Sequence, residues 1–394
     1  MTGVPGAAAV LGDLPDDLVA PSYDGRSLAS VLPAAAGALG IDLTPGGRSR
    51  EAQRSLGLPD VERVCVVLVD GLGHDNLAER AGHAPFLRSL LAGSEPLLSS
   101  FPSTTAAAMG TFGTGTCPGR TGMLGYTQRD AETGALANMV SWDGAGEPES
   151  LQREATVLQG VASAGLGVTS VGPRRFAGSG MTRAALRGGT YVAAESLPGR
   201  VDAVVRALRE PGLAYLYWGD VDKVGHHRGW GSWQWGDALE ALDRELADLS
   251  RRLPRGTLLL VTADHGMIDV DLTERWDVAA EPELSRGVQM VAGEPRATHL
   301  YVASDDVAQV RERWTQVLGD AALVVTRDEA VAAGWFGPVS AHVREVPGDV
   351  VVAMRRRATV VDSASQSAAS LTLTGVHGSL TRTEMRVPFL TSQS

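Results

Sequence analysis

The chain has 394 residues, 44% of them apolar and 21% charged, with a formal net charge of -11. That length and balance describe a globular protein able to bury a large core, and they exclude a disordered chain. The acidic surplus excludes a general binder of nucleic-acid polymers, which needs a basic face, but not a small anionic substrate, because metal ions can supply local positive charge.

Residues 1–60 are rich in Ala, Gly and Pro, and residues 28–39 can form a helix. This segment is expected to be an N-terminal extension packed on the core. Its opening residues lack a basic start and carry acids where a secretory signal is apolar. No apolar run approaches the roughly 18–20 residues that span a membrane, so no membrane partner is expected. Of two cysteines, Cys65 lies inside an apolar run and reads as a small core residue, so a disulfide framework is not expected. A cytoplasmic enzyme is the resulting expectation.

Residues 64–69 (VCVVLV), 213–218 (LAYLYW) and 258–261 (LLLV) are short and rich in β-formers, as strands buried on both faces are. Between the last two, residues 237–253 carry leucines at 239, 242, 246, 249 and 253, a helical stripe that ends before Pro254 and Gly256. Strands alternating with helices predict a three-layer α/β/α domain over 61–394 with a largely parallel central sheet. Residues 298–355 repeat the pattern on a smaller scale and predict an inserted α+β cap of βαβ type.

The informative feature is where the acids fall. Each strong strand runs into aspartate at or near its end: Asp70-Gly71, Asp220/Asp222, and Asp264-His265-Gly266. In an open α/β sheet, ligands collect beyond the carboxyl ends of the strands. Three carboxylates delivered to one edge repel unless protons or cations lie between them. Histidines arrive in the same segments, at Gly225-His226-His227 and at His265, and Gly375-Val376-His377-Gly378 brings another. Asp oxygens mixed with His nitrogens suit zinc, and also manganese or iron. Spacing alone does not decide between His226 and His227. His74, His83, His299 and His342 read as structural or exposed.

A second chemical segment is Phe101-Pro-Ser-Thr-Thr-Ala-Ala-Ala-Met-Gly110. A hydroxyl at a helix start faces backbone N–H groups and the positive end of the dipole, which favours an alkoxide and a bound phosphate. Taken alone, Ser103, Thr104 and Thr105 read as a helix cap.

Together these motifs, in this order, resemble the nucleotide pyrophosphatase/phosphodiesterase branch of the alkaline phosphatase superfamily, over about residues 62–390. The family pattern around the nucleophile falls without a gap on Pro102, Ser103, Thr105, Thr114-Gly115, Pro118 and Gly122, and Asp-x-x-Gly-His-x-x-Gly falls on Asp222, Gly225, His226 and Gly229. The resemblance implies Thr105 as nucleophile, with one ion on Asp222, His226 and His377 and a second on Asp70, Asp264 and His265, the latter also binding Thr105 Oγ. It implies two divalent ions, zinc or else manganese, roughly 3.5–4 Å apart, and a phosphothreonine intermediate that water hydrolyses. Thr104, Lys223 and Tyr126 are candidate substrate contacts, as are the nearby Arg129 and Trp142. The family places an Asn donor three residues after the nucleophile; this chain has Ala108, which leaves diester preference open.

Gly113–Thr121 superficially resembles a phosphate-binding loop, but its glycine spacing is wrong and Arg120 replaces the lysine. Cys117-Pro-Gly-Arg120 misplaces the residues of a sulfatase motif. The expected function is hydrolysis of a small phosphoester, nucleotides included, by a phosphodiesterase or nucleotide pyrophosphatase. The alternatives are a phosphomonoesterase or phosphonate hydrolase on the same scaffold, and a catalytically silent metal- or nucleotide-binding protein.

Overall fold

The computed structural model describes residues 14–43 and 48–394. Five parallel strands form the body of the main sheet: β1 (Arg63–Val69), β2 (Gly167–Gly172), β3 (Thr190–Ala193), β4 (Gly212–Trp218) and β5 (Leu258–Thr262). A second, antiparallel sheet follows in the chain, built from β6 (Val288–Glu294), β7 (Ala297–Val302), β8 (Ala322–Thr326) and β9 (Val350–Met354) in the order β6-β7-β9-β8. The last strand, β10 (Phe389–Gln393), returns antiparallel to β5 and completes the order β10-β5-β1-β4-β2-β3. Every residue of β1 after Arg63 is buried, as is all of β5, which is why both read as unbroken apolar runs.

The parallel pairing is in step: Val69 lies opposite Trp218, and Leu68 opposite Thr262. The three strands that end in aspartate are adjacent, β5-β1-β4, so their acidic loops emerge side by side. Helices complete the expected α/β fold, among them α1 (Val31–Ala38), α2 (Thr105–Thr114), α3 (Asp220–Arg228), α4 (Trp233–Arg252) and α5 (Val307–Leu318). The α4 helix starts before the predicted 237 because Ser232 caps it, its Oγ accepting from the Trp235 N–H at 3.2 Å. No described helix is long and apolar enough to cross a membrane.

Leu28, Val31, Leu32 and Ala34–Ala36 pack into the main apolar core, which places the described part of the N-terminal segment on the body of the protein. Its residues 1–13 and 44–47 lie outside the described residues, whereas Asp16 and Asp17 are within them, Asp17 pairing with Arg355 at 2.7 Å.

The second sheet begins at Val288, ahead of the predicted 298. Strand β6 escaped prediction because it is half-exposed over its first part and ends in Gly-Glu-Pro. β7 and β8 each pair antiparallel with β9, which lies between them, so the helix α5 joins two strands that are not neighbours. Along β9 the side chains alternate: Val350, Val352 and Met354 join Trp314 and Val310 of α5, while Val351 and Ala353 join Phe101, Trp335, Phe336 and Met385. Arg296 and Glu384, both fully buried, pair at 2.7 Å and bind this sheet to the segment that follows His377.

Candidate metal centre and nucleophile

The carboxyl end of the β5-β1-β4 strands, the start of α2 and the 375–379 segment converge on one cluster. Asp70 directly follows β1 and is buried; its Oδ2 accepts from the Tyr217 hydroxyl of β4 at 2.5 Å. Asp264 follows β5 and is fully buried; its Oδ1 accepts the backbone N–H groups of Gly71 and His265, both at 3.1 Å. Asp222 lies in the first turn of α3, half-buried, with Oδ2 3.3 Å from His226 Nε2 one turn on. This leaves Asp70 Oδ1, Asp264 Oδ2 and Asp222 Oδ1 buried with no hydrogen-bond partner among the described residues.

The histidines share one arrangement. Nδ1 of His226 lies 2.7 Å from Gly375 O, Nδ1 of His377 lies 3.0 Å from Ser103 O, and Nδ1 of His265 lies 3.0 Å from Gly266 O. A carbonyl only accepts, so each Nδ1 carries a proton and each Nε2 is the position left to face a cation. Fixing the tautomer through Nδ1 is how imidazoles are prepared as metal ligands. The His265 and His377 rings stack at 3.5 Å, and His226 stands 5.2 Å from His377.

Ligand atoms of Asp70, Asp264 and His265 all lie within 4.8 Å of one another, and so do those of Asp222, His265 and His377. The first trio is the one implied by the resemblance. In the second, His265 takes part in the mutually close set, and His226 joins through Asp222. Asp220 and His227 are exposed, whereas Asp222 and His226 are partly buried. Space is tight: Gly71 has φ +70°, and a Cβ there would meet Asp222 Oδ1 at 2.8 Å.

The electrostatics are those of a site without compensation. Burial pushes the Asp70 carboxyl well above the usual range, and the neighbouring Asp264 and Asp222 push it further. Burial opposes charge on His226, yet Asp222 holds its imidazole up to about 9. Asp222 is held low against its own burial by the same contact. Burial, together with His265 and His226, holds His377 well below the usual imidazole value. Three orphan carboxylate oxygens and three oriented imidazoles, drawn together against their own repulsion, fit divalent cations.

Thr105 is the first residue of α2, and its Oγ1 lies 3.2 Å from His265 Nε2. Thr104 precedes it as the N-cap and is buried, its hydroxyl turned instead toward Glu294. The two threonines, inseparable as a cap motif in the sequence, therefore face different partners. The segment before them is clipped to the 377–379 segment by Ser103 N–H to Gly378 O at 2.9 Å and Ser103 Oγ to Ser379 O at 2.7 Å.

The remaining candidates are less engaged. Lys223 is exposed on α3. Tyr126 is 46% exposed and contributes its backbone N–H to Glu294 Oε2 at 2.8 Å. Arg129 lies over the Tyr301 ring at 4.4 Å and donates to Glu345 O, and Trp142 donates to Gly146 O at 2.8 Å; both hold their loops. His299 is buried and neutral, accepting the Gly348 N–H at 2.9 Å, with its imidazole pushed down to about 4 by burial.

Ala108 lies one turn into α2 and is buried in the main apolar core. Two residues escaped sequence reasoning. Tyr217 stood inside an apolar strand run, and Glu294 in the unpredicted β6; no local signal marked either.

The family model for type I phosphodiesterase / nucleotide pyrophosphatase matches residues 64–380. No curated protein matches the chain in sequence. Among solved structures, murine ectonucleotide pyrophosphatase/phosphodiesterase 5 superposes with a TM-score of 0.67 at 17% identity, over 84% of this chain and 87% of that one. An inactive variant of the murine protein in complex with AMP gives the same values. Phosphonoacetate hydrolase from Sinorhizobium meliloti 1021, in complex with phosphonoformate, superposes at 0.66 with 21% identity over 84% of this chain and 90% of that one.

Proposed function

Because this chain belongs to the type I phosphodiesterase / nucleotide pyrophosphatase family, we propose that it hydrolyses a small phosphodiester or nucleotide pyrophosphate through a covalent phosphothreonine at Thr105. The observation that carries this is the cluster itself: three orphan carboxylate oxygens and three Nε2 atoms gathered where the Thr105 hydroxyl is delivered. Asp222, His226 and His377 would hold one divalent ion, and Asp70, Asp264 and His265 the other, zinc first and manganese second. Bound there, the ions supply positive charge that lowers the hydroxyl pKa and stabilises the reacting phosphoryl oxygens.

The chain's own part is positioning. α2 presents Thr105 in its first turn, where free backbone N–H groups face an anionic phosphate. Thr105 Oγ bonds to phosphorus as the bond to the leaving oxygen breaks, and the hydroxyl proton ends on the leaving group. Water then cleaves the Oγ–P bond and restores the threonine.

The test is hydrolysis by metal-reconstituted enzyme of bis-p-nitrophenyl phosphate, p-nitrophenyl phosphate and phosphonoacetate. The diester is expected to be cleaved fastest. Activity confined to the monoester sinks the diesterase reading. Preference for phosphonoacetate establishes the phosphonate hydrolase that the Sinorhizobium structure keeps in view. Silence on all three, with metal bound, favours a binding protein.

Tyr217 gives a separate prediction. By engaging Asp70 Oδ2 it leaves Oδ1 as the atom aimed into the centre. Tyr217→Phe is expected to weaken metal binding by about 10–100-fold with the fold intact, read by chelator competition. An unchanged affinity removes Tyr217 from the support of the centre.

A further inference from the structure

One buried carboxyl takes no part in the chemistry above. Glu294 ends β6 of the second sheet, is 7% exposed, and has no cation acting on it among the described residues. Its Oε2 accepts the Tyr126 N–H at 2.8 Å, and the Thr104 hydroxyl faces the carboxyl. Oε1 is buried with no partner of hydrogen-bond geometry among the described residues. On the far side lies Gly378, where a Cβ would stand 2.6 Å from Glu294 Cγ and 2.9 Å from Oε1. Glu294 therefore packs against the residue before Thr105 and the residue after His377.

An ionised carboxylate in this position would be desolvated with one backbone N–H and one hydroxyl to answer its charge. The charged group that faces it, Glu384, repels it, although Arg296 holds Glu384 in a buried pair. A carboxylic acid removes that uncompensated charge, which is the larger cost of burial.

We propose that Glu294 is a positioning residue for the nucleophile: held as a carboxylic acid, it ties Thr104 and Gly378, the chain neighbours of Thr105 and His377, to the second sheet. Burial, only partly offset by the Tyr126 and Thr104 contacts, supports this by pushing the carboxyl up to about 8. The second sheet then does more than cover the main sheet: through one side chain it holds the nucleophile in register with a ligand histidine. The inference rests on the assignment of Thr105 made above.

Two substitutions test it in metal-loaded enzyme. Glu294→Gln keeps the shape and a donor without an ionisable group, and is expected to keep kcat within about threefold. Glu294→Ala removes the brace and is expected to lower kcat by about ten- to a hundredfold with metal content retained and KM little changed. A second readout does not depend on activity. The folded protein keeps the Glu294 proton where the unfolded chain has lost it, so this residue's contribution to stability falls as pH rises from the ordinary glutamate range, about 4.3, to about 8. Glutamine has no such loss, so the Tm advantage of Glu294→Gln over wild type should grow with pH through that window.

Glu294→Ala with wild-type kcat overturns the positioning role. Glu294→Gln as damaged as Glu294→Ala, or a Tm difference that does not change with pH, overturns the neutral carboxyl. If Glu294→Ala does not fold, the Tm series on Glu294→Gln still decides. Retained activity in Thr105→Ala would instead strike the nucleophile assignment beneath the proposal, so the two failures are distinguishable.

Discussion

Thr105→Ala should lose at least about 10³-fold in turnover, or about 4 kcal/mol of transition-state stabilisation, because a methyl group cannot form the bond to phosphorus. The fold should survive. Among the described residues the Thr105 hydroxyl makes one hydrogen bond, to His265 Nε2, and the residue opens α2, where Ala is a good helix former. Its loss should cost no more than about 1 kcal/mol of stability. Metal content should stay near wild type, since Asp70, Asp264 and His265 remain. Thr105→Ser should keep measurable activity, and Thr104→Ala should be milder because that hydroxyl faces Glu294 and not the centre. Metal analysis, circular dichroism and turnover on a diester measured together separate these cases. Near-normal turnover in Thr105→Ala would falsify the assignment.

Complete removal of divalent metal should abolish activity, and restoring zinc or manganese should return it with two ions bound per chain. The three carboxylates explain the expected size of the effect. Without cations, burial and mutual repulsion drive the Asp70 carboxyl to hold its proton, so the centre loses both its positive charge and its geometry. Metal competes with that proton, so affinity should fall as pH falls, by about tenfold per pH unit for each proton displaced. Because the ions bind the folded chain, Tm should also rise on metal addition; at about 100 times Kd the gain is about 2.7 kcal/mol. Full activity in protein shown to be metal-free excludes the mechanism, and one ion per chain with full activity excludes the two-ion assignment.

Much of this was legible in the residues because it depends on local order. The strands at 64–69, 213–218 and 258–261 are buried on both faces, and such strands announce themselves as apolar runs whatever their neighbours. The acids that end them follow directly in the chain. Strand β6 was not legible: at a sheet edge with one half exposed, it carries neither an apolar run nor a clean alternation. The start of α4 was misplaced because the Ser232 cap lies ahead of the leucine stripe that signalled the helix.

By itself the sequence determined the fold class, the family motifs and the pool of acids, imidazoles and hydroxyls from which a centre could be built. Only the tertiary structure decided which members of that pool meet. Asp222 turns inward and Asp220 outward because α3 rotates each residue by about 100°, and a linear motif does not reveal which face of a helix meets the sheet edge. The strand order β5-β1-β4 brings side by side three loops that lie far apart in the chain. Tyr217 and Glu294 acquire their partners, Asp70 and Thr104, across long sequence separations.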